Sequence, residues 1–426
     1  MADIKPFICI RPKEGKAAEI AALPYDVYSR EEAKKEVERE PLSFLRIDRP
    51  ETQFADDVDI YDERVYGKAH DLLWGMVQRG DFVTEQQECY YIYELTMNGR
   101  VQDGLVACAA IDDYQDGVIK RHENTREEKE QDRIRHVDVT SAQTGPIFLA
   151  YRADHQINDV IAEAKKGDPL YDFVSPDGIR HRVFCIRESE RIEIIRQRFE
   201  AMNQIYIADG HHRAASAVKV GLMRRREHPD YTGKEEFNYF LSVLFADEQL
   251  MIMDYNRVVK DLNGYSPDEF LGKVCGIFDV EPLAAGEAAP QERVKEPGAG
   301  IRPDRKGQFA MFLAEHWYMC SIRKEDESSD PVEGLDVSLL QKLLLEPVLG
   351  IGDPRTDERI DFVGGIRGLS ELERRVRTDS AVAFAMYPTS IQELFDVADA
   401  GMLMPPKSTW FEPKLRSGLF IHEIER

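Results

Sequence analysis

A short polar run after an apolar stretch has the composition of a phosphate-binding turn. Residues 205–208 are apolar and residues 214–220 are rich in alanine, so the pattern changes from a buried strand to a helix between them. The residues at this change are Asp209, Gly210, His211, His212 and Arg213. We expect Asp209 to cap the helix and Gly210 to allow a tight turn. The histidines and the arginine would occupy the first helical turn, where free N–H groups and the helix dipole attract anions.

The two adjacent histidines need not share a role. Consecutive helical side chains point about 100° apart, so either His211 or His212 could be a buried, hydrogen-bonded core residue instead of a ligand. The sequence leaves open which of them faces the site. The concentration of polar side chains at one strand end still favours a binding site, because ligands of α/β sheets bind at this edge.

A second polar group consists of Arg121, His122 and Glu123, which follow a short apolar segment and precede a charged helix. His122 and Glu123 are candidate catalytic residues, since histidine serves as a general base and a carboxylate binds a hydroxyl group or a metal ion. Arg121 is a candidate for holding an anionic group. The charges later in the helix are typical of a solvated face, and we assign them no function.

A third motif is the segment Pro24-Tyr25-Asp26, which comes before a helix that opens at Ser29. An acid at this position could accept a proton from a substrate hydroxyl or hold Mg²⁺, so Asp26 is a candidate catalytic residue. The alternative is a turn residue that satisfies backbone N–H groups.

A fourth motif surrounds Lys407, which follows Pro405 and Pro406 and precedes Ser408 and Thr409. The prolines restrict the loop and so determine where Lys407 points. The lysine and two hydroxyl groups would suit a phosphate or a carboxylate. The alternative is a rigid surface turn with its lysine in water.

The elements that must position these motifs alternate between short strands and amphipathic helices, which predicts an α/β or mixed α+β fold. Asn98-Gly99 predicts a hairpin between residues 89–97 and 101–111. Residues 45–48 are predicted to form a short strand. Residues 237–245 and 250–259 are predicted to pair with each other.

The chain divides by composition into three predicted segments. Residues 1–262 contain the phosphate-binding turn, 263–330 form a smaller segment or insertion, and 331–426 return to helix and strand and pack on the core. Within the second segment, residues 281–306 are rich in Ala, Glu, Gly and Pro, which favours a flexible stretch or surface linker. The role of residues 263–330 stays open.

Composition limits the classes of function. The 426 residues carry a net charge of −23, which is unfavourable for a duplex-binding surface and compatible with a basic pocket for one small phosphate ligand. No apolar run approaches the ~20 residues of a membrane span, and the start has no signal-peptide core. The six cysteines are scattered without a C-x-x-C pair, which argues against a zinc ribbon or disulfide scaffold. We expect a cytoplasmic protein that binds neither membrane nor nucleic acid.

Four motifs in order make the chain resemble the bacterial and archaeal family known as domain of unknown function 1015 (DUF1015). The segments that carry this resemblance are residues 23–27, 121–125, 207–213 and 404–409. The Asp-Gly-His-His-Arg box also resembles the nucleotide-binding box of the ParB/sulfiredoxin superfamily, which includes free-serine kinases. Family members often have an aromatic residue after the arginine, where this chain has Ala214.

The second resemblance implies a ParB/sulfiredoxin-like nucleotide-binding core in which residues 209–213 hold phosphates. It favours a kinase that uses ATP or ADP, or else CTP, with Mg²⁺, and free L-serine is the leading acceptor. Arg121 or Lys407 would hold the substrate carboxylate, and Asp26 or Glu123 would be the base. The alternatives are a nucleotide-binding switch or slow NTPase of ParB type, and a DNA-binding partition-like protein, which the charge disfavours. The metal ligands and the oligomeric state stay open, with a homo-oligomer among the alternatives.

Overall fold

The computed structural model describes residues 1–125, 127–283 and 301–425. Its strands, in chain order, are β1 (Ile4–Lys5), β2 (Cys9–Pro12), β3 (Phe82–Thr84), β4 (Tyr90–Met97), β5 (Arg100–Ala110), β6 (Ile119–Lys120), β7 (Ala142–Gln143), β8 (Ile147–Tyr151), β9 (Tyr171–Val174), β10 (Arg180–Ile186), β11 (Ile205–Asp209), β12 (Tyr239–Ala246), β13 (Ile252–Met253), β14 (Tyr255–Val259), β15 (Asp279–Leu283), β16 (Gln308–Leu313), β17 (His316–Ser321), β18 (Ile360–Gly364), β19 (Val382–Met386), β20 (Trp410–Phe411) and β21 (Ile421–Glu423).

The α-helices alternate with these strands, which confirms the predicted α/β class. They are α1 (Ala17–Ile20), α2 (Arg30–Arg39), α3 (Leu45–Asp48), α4 (Glu63–Gln78), α5 (Ile111–Gln115), α6 (Glu127–Thr140), α7 (His155–Ala164), α8 (Ser189–Glu200), α9 (His211–Glu227), α10 (Pro267–Ile277), α11 (Asp336–Leu340), α12 (Gly368–Thr378) and α13 (Ile391–Asp399). None of the described helices is both long and apolar enough to cross a bilayer.

The first of two compact units contains Met1–Leu250 and Pro413–Arg426. Its main sheet has the strand order β6-β11-β8-β12-β5-β4-β10-β9, with β1 added beside β5. Strands β8 and β12 lie inside the sheet and are apolar along almost their whole length, because both of their faces are covered. Apolar side chains of α7, α8 and α9 join those of the sheet in one core. A smaller sheet has the order β3-β2-β21-β7.

The second unit is Met251–Glu412. Its larger sheet has the order β15-β17-β16-β19-β14-β18, and β13 pairs with β20 separately. This division differs from the predicted boundaries at 262 and 330, because one sheet contains strands from before 262, from 263–330 and from after 331. A flexible stretch is predicted for residues 281–306. Of these, residues 284–300 lie outside the described residues.

Two predicted strand features are wrong. Residues 45–48 form helix α3, since the apolar–charged alternation Leu-Arg-Ile-Asp is too short to distinguish a strand from a helix. Residues 250–259 do not pair with β12, because β5 and β8 occupy both of its edges. Within that segment, β14 pairs with β18 and β19. The hairpin of β4 and β5 is confirmed, and Asn98 and Gly99 in its turn have φ of 52° and 80°.

Candidate functional site

Two neighbouring parallel strands bring the first two polar motifs together. Strand β6 pairs with β11 in parallel, with Ile119 opposite Ile205 and Lys120 opposite Tyr206. Residues 121–123 and 209–213 therefore leave the sheet at the same edge. This juxtaposition depends on a pairing between segments some 85 residues apart, which local sequence patterns do not reveal.

The turn between β11 and α9 has the predicted strand-turn-helix form, but its cap differs from the prediction. Asp209 ends the strand, and Gly210 is the residue before the helix, with φ of 93° and no side-chain cap. Asp209 is therefore not the N-cap. Gly210 suits this position for two reasons, since its φ disfavours other residues and an added Cβ would lie 2.9 Å from Nη2 of Arg213.

Arg213 folds back from α9 over this turn. Its Nη1 donates to the Pro146 carbonyl at 2.5 Å, and its Nη2 lies 3.7 Å from Oδ2 of Asp209. Its guanidinium group thus links the start of β8 with the end of β11. Because Arg213 has no close, direct ion pair with Asp209, its charge remains only partly neutralised within the turn.

Lys414 supplies a second cation that the sequence analysis did not assign to the site. Its Nζ lies 3.6 Å from Oδ2 of Asp209. Partial loss of hydration raises the pKa of Asp209, but Lys414 and then Arg213 outweigh this effect and hold that pKa well below its usual 3.8. Asp209 is therefore ionised, and its carboxylate holds two cations at the strand end. Lys414 belongs to the first unit through the returning segment 413–426, which explains why spacing alone did not reveal it.

His122 and His211 form a buried pair beside the turn. Their rings meet edge to face with centroids 4.5 Å apart, and the residues are only 1% and 4% exposed. Burial lowers the pKa of His122 to about 4, and burial together with the nearby His122 lowers that of His211 well below 6.5. Both imidazoles are neutral at neutral pH. Among the described residues, Nε2 of His211 and both nitrogens of His122 have no hydrogen bond of good geometry, although His122 lies close enough to the backbone of Ile207 for a weak one.

Unsatisfied buried nitrogens are costly, so a water molecule, an ion or a ligand is expected beside them. Glu123 lies next to this pair, with Oε2 at 3.7 Å from Nδ1 of His211 and a side chain that is 35% exposed. A half-exposed carboxylate beside two neutral imidazoles can hold a metal ion or accept a proton. The structure thus brings His122, Glu123 and His211 together, a juxtaposition that the sequence analysis did not predict.

The remaining candidates of the first unit are Arg121, His212 and Asp26. Arg121 stacks on Tyr114, with its guanidinium carbon 5.0 Å from the ring centroid. His212 is half-buried, and its carbonyl accepts from Ser216. Asp26 is exposed in the 3₁₀ turn Tyr25–Val27. The ring of its neighbour Tyr25 contacts the guanidinium of Arg133 at 4.2 Å.

Lys407 lies in the second unit. It has a positive φ of 59°, and its Nζ lies 5.5 Å from the ring centroid of Tyr255. Its carbonyl accepts from Nη2 of the buried Arg257 at 3.1 Å. The rigid turn predicted around Lys407 is therefore held by a side chain as well as by prolines.

Metal ligands are not preassembled in the part of the chain that the structure describes. It contains no group of three or more His, Cys, Asp and Glu side chains placed to hold a metal ion. Mg²⁺ is usually held by one or two carboxylates together with substrate phosphates.

Comparison with known proteins gives a family match and several distant structural similarities. A family model described as a protein of unknown function (DUF1015) matches residues 4–338. A free serine kinase in complex with AMP is 14% identical, with a TM-score of 0.34, over 73% of this chain and 87% of that chain. SbnI with a C-terminal truncation from Staphylococcus aureus is 10% identical, with a TM-score of 0.36, over 72% and 82%. A conserved hypothetical protein from Pyrococcus furiosus is 14% identical, with a TM-score of 0.32, over 74% and 94%.

No curated protein sequence matches this chain. Similarity to the solved structures at this level assigns no role to any residue. The Lys407 motif lies beyond the segment that the family model matches.

Proposed function

This chain belongs to the DUF1015 family of proteins of unknown function, and we propose that it is a nucleotide-dependent kinase that phosphorylates a small molecule. The observation that carries the proposal is the strand-end turn at Gly210, where the cations Arg213 and Lys414 and two unsatisfied histidines meet the start of a 17-residue helix. A helix start with cations and free N–H donors is a phosphate site. The proposed ligand is ATP or ADP, with CTP as the alternative.

Phosphoryl transfer requires positioning and charge neutralisation more than covalent chemistry by the protein. Arg213, His211 and His212 would hold phosphate oxygens, with Asp209 keeping Arg213 and Lys414 in place. Asp26 or Glu123 would accept the proton of the acceptor hydroxyl. The same carboxylates are the candidates for holding Mg²⁺, which supplies charge neutralisation at the phosphates.

Free L-serine is the proposed acceptor, and Arg121 or Lys407 stays the sequence-based candidate for its carboxylate. The likeness of the 209–213 box to the ParB/sulfiredoxin superfamily supports nucleotide binding and stays a prediction. The second proposed function is a nucleotide-binding switch or slow NTPase, which the same turn would serve.

The test is to incubate the protein with Mg²⁺ and ATP, ADP or CTP, with and without a pool of amino acids, and to identify products by mass spectrometry. A phosphorylated amino acid that forms only with nucleotide supports the kinase. Hydrolysis indifferent to the pool supports the switch, and absence of nucleotide binding contradicts both.

A pair of variants links the activity to the turn. The double variant His212→Ala, Arg213→Ala should lose turnover and keep its circular dichroism spectrum. Arg226→Ala, an exposed position at the other end of α9, is the matched control and should keep wild-type turnover.

A further inference from the structure

A small cavity adjoins the turn through Arg213, and the proposed mechanism does not use it. Its volume is about 40 Å³, and its polar lining includes Tyr25, Asp48, Arg133, His136, Gln143, Thr144, Arg213 and Ser417. We call it the arginine cavity. Since a buried water needs ~10–15 Å³, the space suits a few non-hydrogen atoms and no long side chain.

Two guanidinium groups line the arginine cavity. Arg133 is 8% exposed, lies over the Tyr25 ring and pairs with Asp132 at 2.7 Å. Arg213 bonds a carbonyl at 2.5 Å and reaches Asp209 only at 3.7 Å. Guanidinium groups bind carboxylates through two parallel N–H donors, so a carboxylate is the anion that this wall suits.

A buried carboxylate lines the same cavity. Asp48 is 3% exposed, and its Oδ1 accepts from Oγ1 of Thr144 at 3.0 Å. Among the described residues, no lysine or arginine nitrogen forms an ion pair with Asp48 within 4.0 Å. Against the effect of burial, the charge of Asp48 helps to raise the pKa of Arg133, so this carboxylate is partly compensated, and a ligand ammonium group would supply the close ion pair that it lacks.

The combination of charges selects the ligand class. A plain anion would meet repulsion from Asp48, and a plain amine would meet repulsion from two arginines. A zwitterion with a carboxylate and an ammonium on one carbon complements both signs. The small volume of the cavity limits the ligand to an amino acid with a short side chain. Tyr25, which lines the cavity, directly precedes Asp26, one of the two proposed bases.

We propose that the arginine cavity is the acceptor subsite and binds a short hydroxyl-bearing α-amino acid as a zwitterion, with Arg133 at its carboxylate and Asp48 at its ammonium. This inference rests on the proposed kinase function. In the reaction, the acceptor oxygen forms a bond to the terminal phosphorus and the bond to the leaving nucleotide breaks. The hydroxyl proton passes to Asp26 or Glu123, and the nucleotide leaves with one phosphate fewer.

The test compares L-serine with two analogues that each lack one charge. Ethanolamine has no carboxylate, and glycerate carries a hydroxyl group in place of the ammonium. Wild-type protein should phosphorylate L-serine and use either analogue at least ~10-fold less efficiently, the size expected for an unpaired buried charge. Asp48→Asn should raise the KM for L-serine about 10-fold with little change in kcat and reduce discrimination against glycerate.

Two further variants complete the design. Arg133→Gln should raise the KM for L-serine while discrimination against ethanolamine falls. The control is Asp138→Asn on the same helix, whose carboxylate pairs with Arg224 outside the cavity and which should behave as wild type. Thermal melts of all variants report whether each is folded.

The outcomes separate the two proposals. If serine is phosphorylated but Asp48→Asn leaves the KM and the discrimination against glycerate unchanged, the subsite assignment is wrong and the proposed kinase function is still supported. If calorimetric titration shows serine binding that Asp48→Asn weakens, without any phosphoryl transfer, the subsite assignment is supported and the proposed kinase function is wrong. If wild-type protein neither binds nor phosphorylates serine or another short amino acid, the subsite assignment is overturned.

Discussion

Buried histidines lie toward opposite edges of the main sheet, and their hydrogen bonding differs. His181 on β10 is fully buried, and its two ring nitrogens lie 2.8 Å from the Tyr93 hydroxyl and 2.9 Å from that of Ser175. His122 and His211, which follow β6 and β11, are almost as buried but have unsatisfied nitrogens. Burial lowers the pKa of His181 to about 3 and of His122 to about 4.

The comparison shows that burial and a lowered pKa do not distinguish a site from a core. Both regions have them, and both contain a nearby glycine with positive φ, Gly178 and Gly210. The two regions differ in hydrogen bonding. Both ring nitrogens of His181 have partners, whereas ring nitrogens of His122 and His211 lack well-formed hydrogen bonds. Because an orphaned buried nitrogen costs free energy, its retention is the better indicator of a ligand.

The two glycines give the sharpest test of this comparison. Gly210→Ala should lower activity about 100-fold, since a Cβ would displace Arg213 and a misplacement of about 1 Å can cost that much. Gly178→Ala has the same unfavourable φ but open space around it, so it should cost about 1–2 kcal/mol of stability and no activity. Steady-state rates and urea unfolding measure both. Equal activity in the two variants would contradict the proposal that the turn at Gly210 belongs to the active site.

Replacing one histidine at each edge should separate function from stability. His211→Gln should reduce activity about 10- to 100-fold with a small change in unfolding free energy. His181→Gln should cost about 1–3 kcal/mol because Tyr93 and Ser175 lose a partner, and its kcat should be retained. The opposite result, a stable inactive His181 variant and an unstable active His211 variant, would reverse the assignment.

Acid should destabilise both regions alike. As pH falls below about 6.5, histidines of the unfolded chain take up protons while His122 and His181 stay neutral in the folded state. Stability is therefore lost from that pH down to the folded pKa values of about 4 and about 3. For His122 the loss by pH 5 is roughly 2 kcal/mol, at 1.36 kcal/mol per pH unit.

Urea unfolding at pH 7 and pH 5 checks this pH dependence. His122→Asn should lose less stability between the two values than wild type. His316→Asn, at an exposed position, is the control and should keep the wild-type difference. An unchanged difference in His122→Asn would mean that this histidine does not stay neutral in the fold.

Lys414 should contribute the smallest effect. Lys414→Met leaves Asp209 paired with Arg213 and should weaken nucleotide binding about threefold to fivefold, the scale of a partly exposed ion pair. Lys166→Met, an exposed lysine that pairs with Glu163, is the control. Nucleotide titration by calorimetry measures both, and equal affinities would place Lys414 outside the site.

The local parts of the site were predictable. The change from an apolar run to an alanine-rich helix located the turn at Gly210, because both signals lie within a few residues. The exact cap was not predictable, since Asp209 and Gly210 are both favourable residues at a helix start. The strand predicted at residues 45–48 is a helix, because four residues that alternate between apolar and charged are too few to define a period.

By itself, the sequence determined the alternation of helices and strands, the strand-turn-helix of residues 205–227 and the residue types that could bind phosphate. These features depend on local periodicity and backbone preference. Only the tertiary structure decided that β6 lies parallel to β11, that Lys414 returns to Asp209, and that Asp48 and Arg133 line one cavity. Such contacts join segments far apart in the chain, and their charges and unsatisfied hydrogen bonds exist only once the chain has folded.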